Sequence, residues 1–199
     1  MWNYMDKQGN VTGKAIVVYS SKRGSTQQYA KWIAEQLSCD IVDFSNSTGK
    51  ITLQKIDFDR YDCVIYGGWI RGSGIVDFDK FIKSAGENIL SKLIVFGVGI
   101  AYQSAENYMQ VWSLNIGKID PQNTQKSTLY ILDGSFFPDK IGGLDKFLMM
   151  IMKKVLISGS IKDEKNQLQT MKERIDKGFD GVKIENINSL VKEAKDRIM

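Results

Sequence analysis

The segment Ser20-Ser21-Lys22-Arg23-Gly24-Ser25-Thr26 gathers hydroxyl, cationic and glycine residues in the short space that holding a phosphate requires. It follows an apolar run, Lys14–Tyr19, and leads directly into a stretch of helical period. A helix N-terminus there offers unpaired N–H groups and a partial positive charge. Ser21, Ser25 and Thr26 add hydroxyl donors, and Gly24 lets the backbone take a positive φ and curl around a ligand. Simple helix capping accounts for Ser25 or Thr26, but it does not require the whole cluster.

Two further segments carry flat aromatic residues among small ones. Tyr66-Gly67-Gly68-Trp69-Ile70-Arg71-Gly72-Ser73-Gly74 follows the apolar run Tyr61–Tyr66. Trp69 offers a large planar face, and its small neighbours let backbone N–H and C=O groups approach the polar edge of a ring. Gly97-Val98-Gly99-Ile100-Ala101-Tyr102 repeats the combination after the run Lys92–Gly97, with Tyr102 as its aromatic.

Other chemistries are excluded by residue type. No GxxxxGK[ST] segment exists, and Gly97-Val98-Gly99 lacks the third glycine of a dinucleotide fingerprint. The chain has no His, which removes Ser-His-Asp and Cys-His nucleophile systems and the usual zinc sites. Cys39 and Cys63 have no CxxC spacing and read as reduced core thiols. Redox chemistry therefore has to come from a bound cofactor; no metal site and no catalytic side chain is marked.

The elements that position these loops follow from periodicity. Besides the three runs above, Thr128–Asp133 and the weaker Asp40–Phe44 have strand length, and all are nearly continuous in β-branched and aromatic residues. That is the pattern of parallel strands covered on both faces. Helical patterns fall between them: Tyr29, Ile33 and Leu37; Phe78, Phe81, Ile82 and Ile89; Ala105, Tyr108, Met109, Trp112 and Ile116. Others follow the last strand: Leu144, Phe147, Leu148, Ile151, Met152 and Val155; then Ile187, Leu190, Val191, Ala194 and Ile198. Strands alternating with helices imply βαβ crossovers and a doubly wound α/β sheet.

With 199 residues, the chain suits one such domain. Residues 1–13 read as a flexible leader and residues 14–199 as the single domain. The long segments Gly97–Ser127 and Ser158–Asp180 exceed ordinary connections, which marks them as functional or disordered. No signal peptide and no apolar stretch of membrane-spanning length is present, so a cytoplasmic location is expected. The net charge of +4 is spread along the chain and mixed with acids, which argues against nucleic acid. It favours anionic ligands, acidic partners or peripheral contact with anionic lipid. The oligomeric state is left open.

The first loop resembles that of the flavodoxin family, roughly [ST]-x-[ST]-G-x-T leading into a helix. Ser20, Lys22, Gly24 and Thr26 stand at or near those positions, with Lys22 where a hydroxyl residue is usual. The resemblance runs from about Lys14 to the C-terminus. It implies a flavodoxin-like, five-stranded parallel sheet in the order 2-1-3-4-5, with helices on both faces. In such a sheet a ligand lies outside the carboxyl ends of the first and third strands. It also implies noncovalent FMN, its phosphate held by Ser20, Ser21, Lys22, Arg23, Gly24, Ser25 and Thr26. Gly68, Trp69, Ile70, Arg71 and Gly72 then border the ring on one side, and Gly97, Val98, Gly99 and Tyr102 on the other.

One branch, the quinone-dependent and oxygen-independent protoporphyrinogen oxidases, is similar in further respects. Its G-x-x-I-R loop matches Gly67-Gly68-Trp69-Ile70-Arg71, and its apolar helix rich in Met and Lys is similar to residues 146–154. This implies an FMN-dependent oxidoreductase that passes electrons from a reduced substrate to a quinone or a protein acceptor. The alternative is a nonenzymatic electron carrier between protein partners. Such carriers are commonly acidic, and the basic balance here favours the enzyme.

Overall fold

The computed structural model describes residues 14–46, 48, 53–100, 104–138, 173–174 and 176–199. The expected leader, the helix at Leu144–Val155 and most of Ser158–Asp180 lie outside them.

Each apolar run becomes a strand because its side chains find cover on both sides. Strand β1 (Ala15–Ser20) is buried throughout. It leads into helix α1 (Ser25–Leu37) and then edge strand β2 (Asp40–Asp43). Strand β3 (Cys63–Arg71), the short β4 (Gly74–Ile75) and helix α2 (Phe78–Ala85) follow. Next come β5 (Leu93–Gly99), helix α3 (Ala105–Leu114), the single turn α4 (Ile116–Ile119) and β6 (Thr128–Asp133). Short strands β7 (Ser135–Phe136) and β8 (Phe179–Asp180) pair antiparallel, and helix α5 (Asn188–Ile198) ends the chain.

Five strands are parallel in the order β2-β1-β3-β5-β6. Counting only these, the order is the expected 2-1-3-4-5, the doubly wound flavodoxin-like arrangement. Alternation along each strand divides the core in two. Ile16, Val18, Val64, Tyr66 and Val95 pack against Phe78, Phe81 and Val111 on one face. Val17, Cys63, Ile65, Ile94 and Phe96 pack against Tyr29, Ile33, Leu190 and Val191 on the other. Cys39 is half-buried and Cys63 buried, and burial pushes both thiols up to about 12, so neither is a thiolate near neutral pH.

Two details depart from the sequence expectation. β3 does not end at Tyr66; it continues to Arg71 and turns back as a hairpin with β4, Ile70 facing Ile75 and Arg71 facing Gly74. The two turn residues, Gly72 and Ser73, have φ of 54° and 64°, the left-handed pair that a two-residue hairpin with the native twist demands. The second departure is at Gly86, whose φ of 85° ends α2, so that Ile89 lies on a separate 3-10 turn at Glu87–Lys92.

Helix α5 is tied to the edge strand by charge. Arg197 donates to Glu193 Oε1 at 2.6 Å and to Thr128 Oγ1 at 2.9 Å, and Tyr130 donates to Glu193 Oε2 at 2.6 Å. Partial burial works against the Glu193 carboxylate, but the bonds from Thr128, Tyr130 and Arg197 outweigh it and hold its pKa below 4.5. A depressed folded-state pKa gives stability that is complete above the unfolded value and disappears as pH falls through the folded one. The urea midpoint is therefore expected to decline below about pH 4.5, and less steeply in Glu193→Gln than in the parent. Parallel declines in the two proteins would show that the carboxylate contributes nothing to acid sensitivity.

Candidate functional site

The carboxyl ends of β1, β3 and β5 are adjacent because Ser20 pairs with Gly68, and Gly68 with Gly97. The three segments singled out in the sequence therefore begin side by side. Residues 101–103, including Tyr102, lie outside the described residues.

In the first loop, Gly24 occupies the N-cap of α1 with φ 96°, and no side chain caps the helix. Capping by Ser25 or Thr26 is thus not what those hydroxyls do. Ser21 Oγ accepts the Gly24 N–H at 3.2 Å, which closes the loop on itself. Ser25 Oγ accepts from the backbone N–H of Ser135 at 3.3 Å, which brings β7 against the loop. Thr26 is buried in the first turn, which carries no acid. Lys22 and Arg23 are exposed at the tip. A β-carbon at Gly24 would meet nothing within 4 Å, so the space beside the loop is open. An uncapped first turn, a positive-φ glycine, hydroxyls and two cations form a donor set suited to an anion.

Ser20 has a different partner. Its buried hydroxyl donates to Asp77 Oδ2 at 2.8 Å, and Lys80 binds Asp77 Oδ1 at 2.7 Å. Asp77, with φ 61°, is the N-cap of α2. This bond links the end of β1 to the segment that follows the β3–β4 hairpin, and it fixes the two loops relative to each other.

The second loop is the hairpin itself. Trp69 is half-buried, and Arg71 and Gly72 are exposed at its tip. The Lys22 ammonium lies 5.8 Å from the centre of the Trp69 ring, so the phosphate-type loop and the aromatic meet. Ile70 and Ile75 turn over β5: a β-carbon at Gly97 would come within 2.9 Å of Ile70 Cδ1. Gly97 and Gly99 thus make room for the hairpin, with Val98 buried beside them.

Asn115 and Arg174 hold these loops and were not marked by any sequence signal. Asn115, buried at the break between α3 and α4, accepts the Ile75 N–H at 2.8 Å and donates to Ser73 O at 3.0 Å and Val111 O at 2.6 Å. Tyr66 Oη adds a bond to Val76 O at 2.7 Å. Arg174 donates to Ile100 O at 3.3 Å and Asp133 Oδ1 at 3.2 Å, with its guanidinium 4.2 Å from the Phe179 ring. It ties the third loop to the end of β6. Asn115→Ala is expected to leave the Ile75 N–H and the Ser73 C=O unpaired, at about 1–3 kcal/mol. Amide exchange at residues 70–76 is expected to accelerate. Unchanged protection there would mean that the β3–β4 pairing alone holds the hairpin.

Among the described residues no cluster of His, Cys, Asp and Glu suits a metal, and no helix is long and apolar enough to cross a membrane.

Comparison with known proteins adds a family. Residues 16–160 match the family model described as a flavodoxin domain. The flavodoxin of Haemophilus influenzae (strain ATCC 51907 / DSM 11121 / KW20 / Rd) is 30% identical over 105 residues, which cover 51% of this chain and 56% of that one. The chain thus spans little more than half the length of the curated relative it matches. Among solved structures, the flavodoxin, WrbA-like protein from Agrobacterium tumefaciens aligns with a TM-score of 0.41 at 12% identity, over 92% of this chain and 99% of that one. A flavoprotein in complex with FMN from Lactobacillus acidophilus NCFM aligns with a TM-score of 0.37 at 12% identity, over 61% of this chain and 92% of that one.

Proposed function

Because the chain belongs to the flavodoxin domain family, we propose that residues 14–199 form one FMN-binding domain. We further propose that it acts as an oxidoreductase between a reduced organic substrate and a quinone or protein acceptor. The observation that carries this reading is the uncapped N-terminus of α1, opened by left-handed Gly24 and met at Lys22 by Trp69. The donor set and the open space beside Gly24 fit a phosphate. FMN, when bound, supplies reversible uptake of electrons, and the protein supplies binding, orientation and electrostatic tuning.

Ser21, Lys22, Arg23, Gly24, Ser25 and Thr26 hold the phosphate in this reading. Ser20 acts from behind, because its proton already goes to Asp77. Gly68, Trp69, Ile70, Arg71 and Gly72 border the ring, with the hairpin kept in place by Asn115 and Tyr66. Gly97, Val98 and Gly99 form the floor opposite. No side chain of these loops is needed as an acid or base.

The test is reconstitution with FMN followed by visible absorption and tryptophan fluorescence. A flavin spectrum that persists through gel filtration is expected, together with quenching of Trp69. Trp69→Phe is expected to remove most of the quench; if the quench survives intact, the ring lies elsewhere. A protein that never retains FMN would sink the cofactor reading.

Within the same reading, a porphyrinogen is the substrate we infer from the motif Gly67-Gly68-Trp69-Ile70-Arg71 and the apolar residues 144–155. FMN-loaded protein, given protoporphyrinogen and a menaquinone analogue without oxygen, is expected to form fluorescent porphyrin faster than free FMN does. If it does not, while a reductase readily reduces the bound flavin, the protein is an electron carrier.

A further inference from the structure

We propose that Lys22 tunes the charge balance of the site, favouring the reduced cofactor over the oxidised one. This deepens the FMN reading and rests on it. Lys22 brings a full positive charge into the loop that precedes α1. The fold then decides where that charge goes. Ser20 and Gly68 are paired in neighbouring strands, and the chain runs on from them to Lys22 and Trp69 on the same edge of the sheet. The Lys22 ammonium accordingly lies 5.8 Å from the Trp69 ring centre, within the range over which a cation is attracted to the negative face of an indole.

A planar ring placed against or beside Trp69 therefore has a cation on the same aromatic surface. The other charges of these loops point the same way. Residues 20–26 and 67–77 carry Lys22, Arg23 and Arg71 against the single acid Asp77, and residues 97–104 carry no charge. Asp77 already receives bonds from Ser20 and Lys80. Reduction adds two electrons and one proton to the flavin, so the ring gains one negative charge. A positive site stabilises that product and leaves the neutral oxidised ring nearly unaffected. An acidic surround would do the reverse.

The experiment compares the parent with Lys22→Met, Lys22→Arg and Lys195→Met, each loaded with FMN. Lys195 is exposed near the end of α5, two residues before Arg197, which bonds Leu93 O and Thr128 Oγ1 at the amino ends of β5 and β6, away from the site at the carboxyl ends. Its substitution removes one charge from the whole protein without touching the loops. Oxidised FMN is first titrated by absorption, which establishes cofactor binding separately from tuning. The two-electron midpoint is then measured by dithionite reduction against a reference dye. Lys22→Met is expected to bind reduced FMN about tenfold less tightly relative to oxidised FMN, which lowers the midpoint by about 30 mV. Lys22→Arg is expected to keep the parental midpoint, and Lys195→Met to leave it unchanged. Loss of FMN affinity in Lys22→Met with an unaltered midpoint overturns the inference, because the residue then serves the phosphate alone. An equal shift in Lys195→Met also overturns it, since net charge would suffice. Absence of FMN binding by the parent removes the cofactor reading itself, at the titration step.

Discussion

FMN is expected to bind at least about a hundredfold more tightly than riboflavin. The two ligands share the ring and the ribityl chain, so the ratio isolates the phosphate loop. Hydrogen bonds to a charged group contribute about 1.5–3 kcal/mol each. Two such bonds from the uncapped first turn of α1 already give about 3 kcal/mol, a little over a hundredfold. The loop offers more than two donors, since Ser21, Ser25, Thr26, Lys22 and Arg23 surround the same helix end. Raising the salt concentration is expected to narrow the ratio, because part of the attraction is screened charge.

Gly24→Ala probes the same loop from the backbone side. A β-carbon at Gly24 meets no atom within 4 Å, so the substitution creates no clash. Its φ of 96° is nevertheless a conformation that L residues rarely adopt, and holding it costs about 1–3 kcal/mol. FMN affinity is expected to fall in Gly24→Ala while riboflavin affinity stays nearly constant. Titration of both ligands by flavin fluorescence decides the matter: equal affinities of the parent for FMN and riboflavin would remove the phosphate argument altogether.

Gly67→Ala is expected to destabilise the fold by about 3 kcal/mol, at the upper end of the usual range for an overpacked core. Gly67 pairs with Phe96 across the two central strands. A β-carbon there would lie 2.0 Å from Phe96 Cζ, with Cε1 and Cε2 at 2.4 and 2.6 Å. Phe96 is fully buried among Ile65, Ile94 and Val98 and the helices of that face, so the ring has little room to withdraw. For a chain of this size, 3 kcal/mol corresponds to a fall of about 6–12 °C in Tm. Shortening the ring side chain should relieve the overlap. The double variant Gly67→Ala/Phe96→Leu is expected to lose less than the sum of its single variants, the signature of a direct contact. Strict additivity in thermal or urea unfolding would mean that the strain at Gly67 arises elsewhere. The same glycine stands immediately before Gly68 and Trp69, so its effect on folding has to be measured before any effect on ligand binding is read.

Much of the architecture was legible because strands and helices are written in short periods. A parallel strand covered on both faces has to be apolar along nearly its whole length, which residues 15–19 and Leu93–Gly99 show directly. The shape of the loop after β1 was equally legible, since a positive-φ glycine at a helix N-terminus and the hydroxyls beside it are consecutive residues, Ser21 to Thr26. Its flat-ring counterpart was legible in type, through Trp69, but not in form. Gly72 and Ser73 were seen as part of a glycine-rich loop, whereas they make a two-residue hairpin turn that folds Ile70 and Ile75 over Gly97.

What the sequence by itself determined was the five parallel strands, the helices between them and the residue types each loop gathers, because these depend on neighbours a few residues apart. What only the tertiary structure decided was which side chains brace the loops. Ser20 reaches Asp77 across 57 residues, Asn115 reaches Ile75 across 40 and Arg174 reaches Ile100 across 74. No local period connects such pairs. They meet because the strand order sets the carboxyl ends of β1, β3, β5 and β6 along one edge, and because a polar group buried there must find a partner from whichever element the order brings near. The same order, and not the spacing of the residues, sets Lys22 over Trp69.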